Sequence, residues 1–402
     1  MPIKVAVILD QKIKVGGGYQ QSINAALLAS NLPKELATIS YYTIIKEDIN
    51  NLNSYGMNVK LLRLNLINRL LLRIEANQRY LLLKYFLNTF LKFDFLERIL
   101  AKDKIDLVYF LSPTKLALFL DKTNYIYTVW DLCHRDHPEF PEVRNEDQFE
   151  IRETNYRKIL PKATAVIVDA EISKKNIINR YKLDSQRIFI FPFEAGHKSK
   201  TKNDINKISI IKKLKLSSPY IFYPAQFWPH KNHIYILKAL KYMETNYSLI
   251  MHAVFCGSDQ GNLKYIKKCV EEMELNNRIH FTGFISDFEI KDLYLNTLAL
   301  VMPSYFGPTN LPPLEAFELG VPVVYSDIPG MKDQVGNAAL LINLDEPESL
   351  ASNLKMLLEN PELSNDLINK GYEKVSNSNK EIAVNNLIDI IKSFKAKRAC
   401  WE

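Results

Sequence analysis

A lysine, a glutamate and two turns rich in glycine and proline mark where this chain can do chemistry. Lys231 lies in Tyr223–His233 (YPAQFWPHKNH), directly after an apolar run, and Glu315 lies in Val301–Ser326 (VMPSYFGPTNLPPLEAFELGVPVVYS). An ammonium group near a helix start, reinforced by the helix dipole, can neutralise a diphosphate. Pro229 suits the turn entering such a helix. The second segment reads as a buried strand, a turn, a short helix entered through Pro312-Pro313 with Glu315 in its first turn, and another buried strand. That order delivers backbone N–H groups and a carboxylate to one edge of a parallel sheet, as α/β proteins do for phosphorylated ligands. Plainer readings stand beside these: a solvated lysine, and a carboxylate that answers only the helix dipole. Phe227 and Trp228 read as packing residues.

Two further clusters fall in the first half. Trp130–Pro141 (WDLCHRDHPEFP) gathers Asp131, His134, Arg135, Asp136 and His137 after a strand pattern. Such a density of titratable groups at a strand end is typical of a site, with a surface loop as the alternative. His134 suits function and His137 the surface. Zinc does not fit, because no cysteine or third histidine stands at ligand spacing. Gly16-Gly17-Gly18 follows the first strand and precedes a helical pattern, so it allows close backbone approach to a ligand, or simply a tight turn. It is not a dinucleotide fingerprint, since Gln21 holds the third glycine position and no Walker lysine follows. No Asp-x-Asp pair occurs in the chain. Lysine and backbone amides, rather than a carboxylate-held metal, must supply counter-charge to a diphosphate.

The elements that position these residues follow from pattern. Short runs rich in β-branched and aromatic residues (Lys4–Leu9, Ile105–Leu111, Tyr125–Trp130, Ala163–Asp169, Arg187–Pro192) alternate with helical stretches. A second set follows at Tyr220–Ala225, Ser248–Gly257, Arg278–Thr282, Ala299–Pro303, Val321–Ser326 and Ala338–Ile342. Strands alternating with helices predict parallel sheets. Ser286 and Glu289 form a capping box opening a helix near Ile290–Leu295. With 402 residues, two domains are the natural expectation. The basic, polar segment 196–218 divides them: residues 1–195 form one doubly wound domain and 219–378 a second. Residues 379–402 form a last helix packing back on the first domain.

The totals bound the rest. A composition of 47% hydrophobic and 24% charged residues is globular. Pro2–Ile8 reads as a first strand rather than a signal peptide, and no run of 18 uncharged apolar residues could span a membrane. Cys133, Cys256, Cys269 and Cys400 are far apart, which fits a reduced, cytoplasmic chain. A net charge of +7 is modest for this length: it fits anionic ligands or an anionic lipid surface and is weak evidence for nucleic acid, which is not expected as a partner. Leu61–Leu100 mixes many leucines with Arg63, Arg69, Arg73, Arg79, Lys84, Lys92 and Arg98. It could lie peripherally on the inner face of a membrane, or be amphipathic helices packing on the first sheet.

Taken together, YPAQFWPHKN, FCGSDQGNLKYI, RIHFTGFIS and VMPSYFGPTNLPPLEAFELGVPVVYSD resemble, in order, the motifs of the GT-B fold glycosyltransferases of family 4. The resemblance covers most of the chain and is strongest over Trp130–Pro192 and Tyr220–Ile342. It implies an α/β, GT-B architecture of two doubly wound Rossmann-like domains facing a central cleft. It also implies a retaining, metal-independent hexosyltransferase without cofactor, moving a sugar from a nucleoside diphosphate donor to a glycan or lipid-linked acceptor in polysaccharide biosynthesis. By position, Lys231 would bind the diphosphate and Glu315 the ribose hydroxyls. Phe284 would meet the base through its backbone, and Thr309, Asn310 and Leu311 would offer backbone groups to phosphate or sugar. Gly17 and Gly18 would approach the reaction centre, with His134 or Asp131 near the sugar. Two positions depart from the family: Gln226 replaces the arginine expected five residues before Lys231, and Gly307 replaces a first glutamate eight before Glu315. The GPTNLPPLEA form is similar to a subgroup using mannose-like or deoxy sugars. The departures keep open a non-catalytic GT-B protein that binds a glycan or a partner enzyme. A nicotinamide-dependent enzyme lacks its glycine pattern here.

Overall fold

The computed structural model describes residues 1–12, 17–76, 95–195, 209–216, 219–376 and 380–401. The chain divides into two compact units, Met1–Phe193 with Asn379–Glu402, and Glu194–Ser378.

In the first unit the strands are β1 (Ile3–Leu9), β2 (Ala37–Thr43), β3 (Val59–Leu61), β4 (Leu107–Phe110), β5 (Asn124–Thr128), β6 (Ala165–Val168) and β7 (Ile188–Ile190). They form a parallel sheet in the order β3-β2-β1-β4-β5-β6-β7. Alternation along β1 feeds two cores: Val5, Val7 and Leu9 join one, and Ala6 and Ile8 the other. β2 and β3 stand outside the sequence expectation. ATISYYT carries the β-branched and aromatic signal of a strand, whereas β3 has three residues, too short to show a period.

The helix Lys380–Arg398 belongs to this unit. Ala383, Leu387, Ile390, Ile391 and Phe394 recur at helical spacing and are buried with Ala25, Ala26 and Ala29 of the helix Gly17–Ser30. Asn386 Nδ2 donates to the Ile190 carbonyl at 3.2 Å, which fastens the helix to the edge strand β7.

In the second unit β8 (Tyr220–Pro224), β9 (His252–Cys256), β10 (Ile279–Gly283), β11 (Ala299–Met302), β12 (Val323–Ser326) and β13 (Ala339–Ile342) form a parallel sheet ordered β10-β9-β8-β11-β12-β13. The order reverses direction between β8 and β11, and between β1 and β4 in the first unit. Such switch points open crevices beyond the carboxyl ends of the strands. The capping box is present: Ser286 caps the helix Asp287–Asn296 and exchanges bonds with Glu289. Part of the expected linker is folded. Ile210–Lys213 is a short helix whose cap Ser209 donates to Asp292 at 2.6 Å, with Lys213 paired to Glu289 at 2.8 Å. Residues 196–208 lie outside those described.

Candidate functional site

The loops after β8 and β11 are joined at the second unit's switch point. The amide of Tyr305 donates to the His230 carbonyl at 2.9 Å, and the rings of His230 and Phe306 stack at 3.9 Å. Tyr223, buried in β8, donates to the Lys231 carbonyl at 2.9 Å and lies 3.0 Å from Ser304 Oγ. The backbone of Lys231 is therefore fixed from the sheet below, while its Nζ reaches Asn310 Oδ1 at 3.4 Å. Lys231 ends the turn Pro229–Lys231, ahead of the helix His233–Tyr247.

Asn310 is the centre of this arrangement. Its side-chain amide donates to the Tyr325 hydroxyl at 2.6 Å and to the Gly307 carbonyl at 3.1 Å. Gly307 has φ of +104°, a conformation that suits glycine and lets the turn close on Asn310. The backbone of Asn310 is held by Gln334 on both sides. Asn310 is extended (φ −140°, ψ 150°) and the helix starts at Leu311, with Pro312 and Pro313 inside its first turn. Glu315 is consequently the fifth helical residue, not a first-turn acid as the sequence suggested, and no acid stands in that turn. Both prolines lack an N–H. The helix end offers its dipole and few amides, so the charge of Lys231 carries more of any anion's neutralisation. Tyr294 fixes Glu315: its hydroxyl donates to Oε2 at 3.1 Å. Burial, then the Glu315 charge, raises the Tyr294 phenol well above its usual range, so it is a donor throughout the neutral region.

Around this centre the backbone comes close. A Cβ at Gly257 would sit 2.4 Å from the Ala225 carbonyl oxygen, so only glycine fits there. Gly283 has φ of +66°, and Phe284 after it is 85% exposed. Phe227 is buried, as a packing residue should be, and Trp228 Nε1 donates to Gln226 Oε1 at 3.0 Å. At the position of the expected arginine there is thus an amide held by its own loop. His233 is fully buried among Tyr223, Phe227 and Phe255, with ring centroids 4.8, 4.9 and 5.0 Å away. Neither ring nitrogen has a hydrogen-bond partner. Burial, with Lys231 and His230 adding to it, lowers its pKa to about 3.

In the first unit Gly17 and Gly18 open the helix Gly17–Ser30, while Gly16 lies outside the described residues. Asp10, at the end of β1, accepts from the Ser112 hydroxyl beyond β4, and burial raises its carboxyl pKa. Asp131 accepts from Arg152 at 2.5 Å and from the Cys133 amide at 2.9 Å. Burial opposes its ionisation, but Arg152 and these bonds bring its pKa down to about 2. His134 has no exposed side-chain surface and its Nε2 lies 3.3 Å from Glu153. Glu153 is gripped by Arg135 at 2.6 and 2.8 Å and by Tyr181 at 2.9 Å. Burial and the nearby Arg152 charge lower the His134 pKa to about 4, so the imidazole is neutral. His137 is on the surface side of this cluster, 30% exposed.

Next to these residues, a small recess lies between Gln21, Ala25 and Leu28 and the ends of β4 to β7. Gln21 Oε1 and Trp130 Nε1 line it, shut from solvent and without hydrogen-bond partners. Gln334, Tyr325, Tyr294 and Gln21 were not singled out from sequence. Tyr325 lies inside the segment Val301–Ser326 and Tyr294 inside the helix that the Ser286–Glu289 capping box opens.

Residues 204–374 match the family described as Glycosyl transferases group 1. The O-antigen chain mannosyltransferase RfbU of Salmonella typhimurium is 31% identical over 189 residues, 47% of this chain and 49% of that protein. O-antigen chain mannosyltransferase B of Escherichia coli is 21% identical over 220 residues, 54% of this chain and 58% of that protein. The chain spans about half the length of the curated relatives it matches. Among solved structures, Anabaena Alr3699/HepE in complex with UDP and glucose aligns with a TM-score of 0.72 at 16% identity, covering 97% of this chain and 100% of that one. A likeness at that identity is one of fold. The architecture is that of the GT-B glycosyltransferases, and residues 204–374 carry a glycosyl transferases group 1 domain.

Proposed function

We propose that this chain is a retaining family 4 glycosyltransferase. It moves a hexose from a nucleoside diphosphate donor to a glycan or lipid-linked glycan acceptor in polysaccharide biosynthesis, without a metal. The observation that carries the reading is Lys231 held beside Asn310 at the switch point of the group 1 domain, with Glu315 oriented by Tyr294. Loss of the diphosphate is the main barrier, and Lys231 with the helix dipole stabilises its developing charge. The bond between the anomeric carbon and the diphosphate oxygen breaks, and the acceptor hydroxyl attacks that carbon from the same face. Its proton passes to the departing diphosphate, so atoms and charge balance. Glu315 holds the ribose hydroxyls and the backbone beside Phe284 meets the base. The two relatives named as mannosyltransferases favour a mannose-like sugar.

Acceptor recognition falls to the first unit. Among the described residues no lysine or arginine lines its recess, and an unpaired acceptor and an unpaired donor do. Those groups suit a neutral hydroxyl rather than a phosphate.

Thermal unfolding with UDP, GDP, dTDP and ADP added separately tests the donor site. A ligand at a hundred times its dissociation constant adds about 2.7 kcal/mol, so one selective shift is expected. Turnover of the matching diphosphate sugars, with the product anomer read by NMR, then tests transfer and retention. The second reading, a non-catalytic glycan- or partner-binding protein, draws on Gln226 and Gly307 at the two departing positions. A folded sample that shifts with none of the diphosphates would favour it.

A further inference from the structure

The helix Leu66–Ala76 has one apolar face more than its unit uses. Leu71 is buried in the core with Leu62, Leu96 and Leu100, and Ile74 is buried too. Leu66, Ile67 and Leu70 are 84%, 64% and 57% exposed. Positions i, i+1 and i+4 share one face of a helix, so three large aliphatic side chains project together into water. A contiguous exposed apolar group of this kind marks an interaction site.

Charge identifies the partner. Arg63 and Arg69, both exposed, flank the three aliphatics, and no acid stands in the helix's first turn. The sequence from 49 to 93 holds Lys60, Arg63, Arg69, Arg73, Arg79, Lys84 and Lys92 against the single acid Glu75. That segment carries a net +6, as does the segment 196–218. An apolar ridge inside a strongly basic segment calls for a partner both greasy and anionic. A second copy fits poorly, because a two-fold contact would set Arg63 and Arg69 against their own like charges. Nucleic acid offers no apolar phase for Leu66, Ile67 and Leu70. No described helix is long and apolar enough to cross a membrane, so contact through this turn would be peripheral.

We propose that Leu66, Ile67 and Leu70 dock this chain on an anionic lipid surface, with Arg63 and Arg69 pairing with headgroups. The aliphatics enter the boundary between headgroups and acyl chains, and the arginines answer the negative surface potential. Each arginine at such a surface is worth on the order of a fivefold gain in partition. Binding is therefore reversible and sensitive to salt. This docking stands apart from the transfer chemistry, and its test needs no turnover.

The experiment is co-sedimentation of the full chain with vesicles of phosphatidylcholine alone, or mixed with phosphatidylglycerol, at low and high salt. Wild-type protein is expected to pellet with the mixed vesicles at low salt and to be released by high salt. L66S/I67S/L70S should retain the wild-type melting temperature and lose binding on the order of tenfold or more. R63Q/R69Q should lose on the order of 20-fold. Three results would overturn the proposal: wild type left in the supernatant with the mixed vesicles, both variants pelleting like wild type, or light scattering showing a dimer that L66S/I67S/L70S dissociates.

Discussion

Gln334 clamps the backbone of Asn310 on both sides. The Asn310 amide donates to Gln334 Oε1 at 3.0 Å, and Gln334 Nε2 donates to the Asn310 carbonyl at 2.6 Å. The two residues precede and follow β12 in sequence, and its Tyr325 hydroxyl adds a third tie, donating to Gln334 Oε1 at 3.3 Å. This side-chain amide acts as a missing piece of backbone. It fixes the entry of the helix Leu311–Glu318 and, through Asn310, the place of the Lys231 ammonium.

Gln334→Ala should therefore loosen the turn without emptying the core. Three hydrogen bonds are lost, two of them to the Asn310 backbone and one from the Tyr325 hydroxyl, a cost of about 1–3 kcal/mol. The expected result is a lower melting temperature together with weaker binding of the selected nucleoside diphosphate, read by calorimetry. Unchanged diphosphate affinity would separate the clamp from ligand binding.

Tyr294→Phe removes the hydroxyl that holds Glu315 at 3.1 Å while keeping the ring. Affinity for the nucleoside diphosphate should fall by about tenfold, matching a loss near 1.4 kcal/mol. The deoxyribose analogue should bind both proteins alike if Glu315 acts on ribose. A variant that discriminates ribose as wild type does would remove Glu315 from that role.

Lys231→Ala should cost on the order of a hundredfold or more in turnover. The melting temperature should move little, because the backbone ties of the turn, the Tyr223 hydroxyl to the Lys231 carbonyl among them, do not need the side chain. Turnover at the wild-type rate would rule out Lys231 as the diphosphate's counter-charge.

Stability should depend on acid through His233. Its folded pKa is lowered to about 3, by burial first, whereas an unfolded histidine titrates near pH ~6.5. Between these values the unfolded chain binds the extra proton, so stability falls as pH drops below about 6.5, by at most about 1.4 kcal/mol per pH unit. Above that pH this contribution is flat. His233→Leu should flatten the slope of unfolding free energy between roughly pH 4 and 6.5, as measured by urea titration. An unaltered slope would show that other groups govern the acid limb.

Local order was written in the sequence. Runs of β-branched residues placed β1 and β4 to β13, and the Ser286–Glu289 pair placed a helix start, because both signals act between residues close along the chain. The same holds for the ordered segments that carry Lys231, Asn310 and Glu315. What tertiary structure decided is which groups meet. Gln334 reaches Asn310 across 24 residues, Tyr294 reaches Glu315 across 21, and Glu153 reaches His134 across 19. The helix entry at Leu311, which moved Glu315 out of the first turn, depends on how Asn310 is clamped from outside the segment. Burial of His134 and exposure of Leu66, Ile67 and Leu70 likewise depend on which neighbouring elements pack against them. Periodicity tells that a helix has an apolar face. Only packing of residues far apart in sequence tells which face is covered.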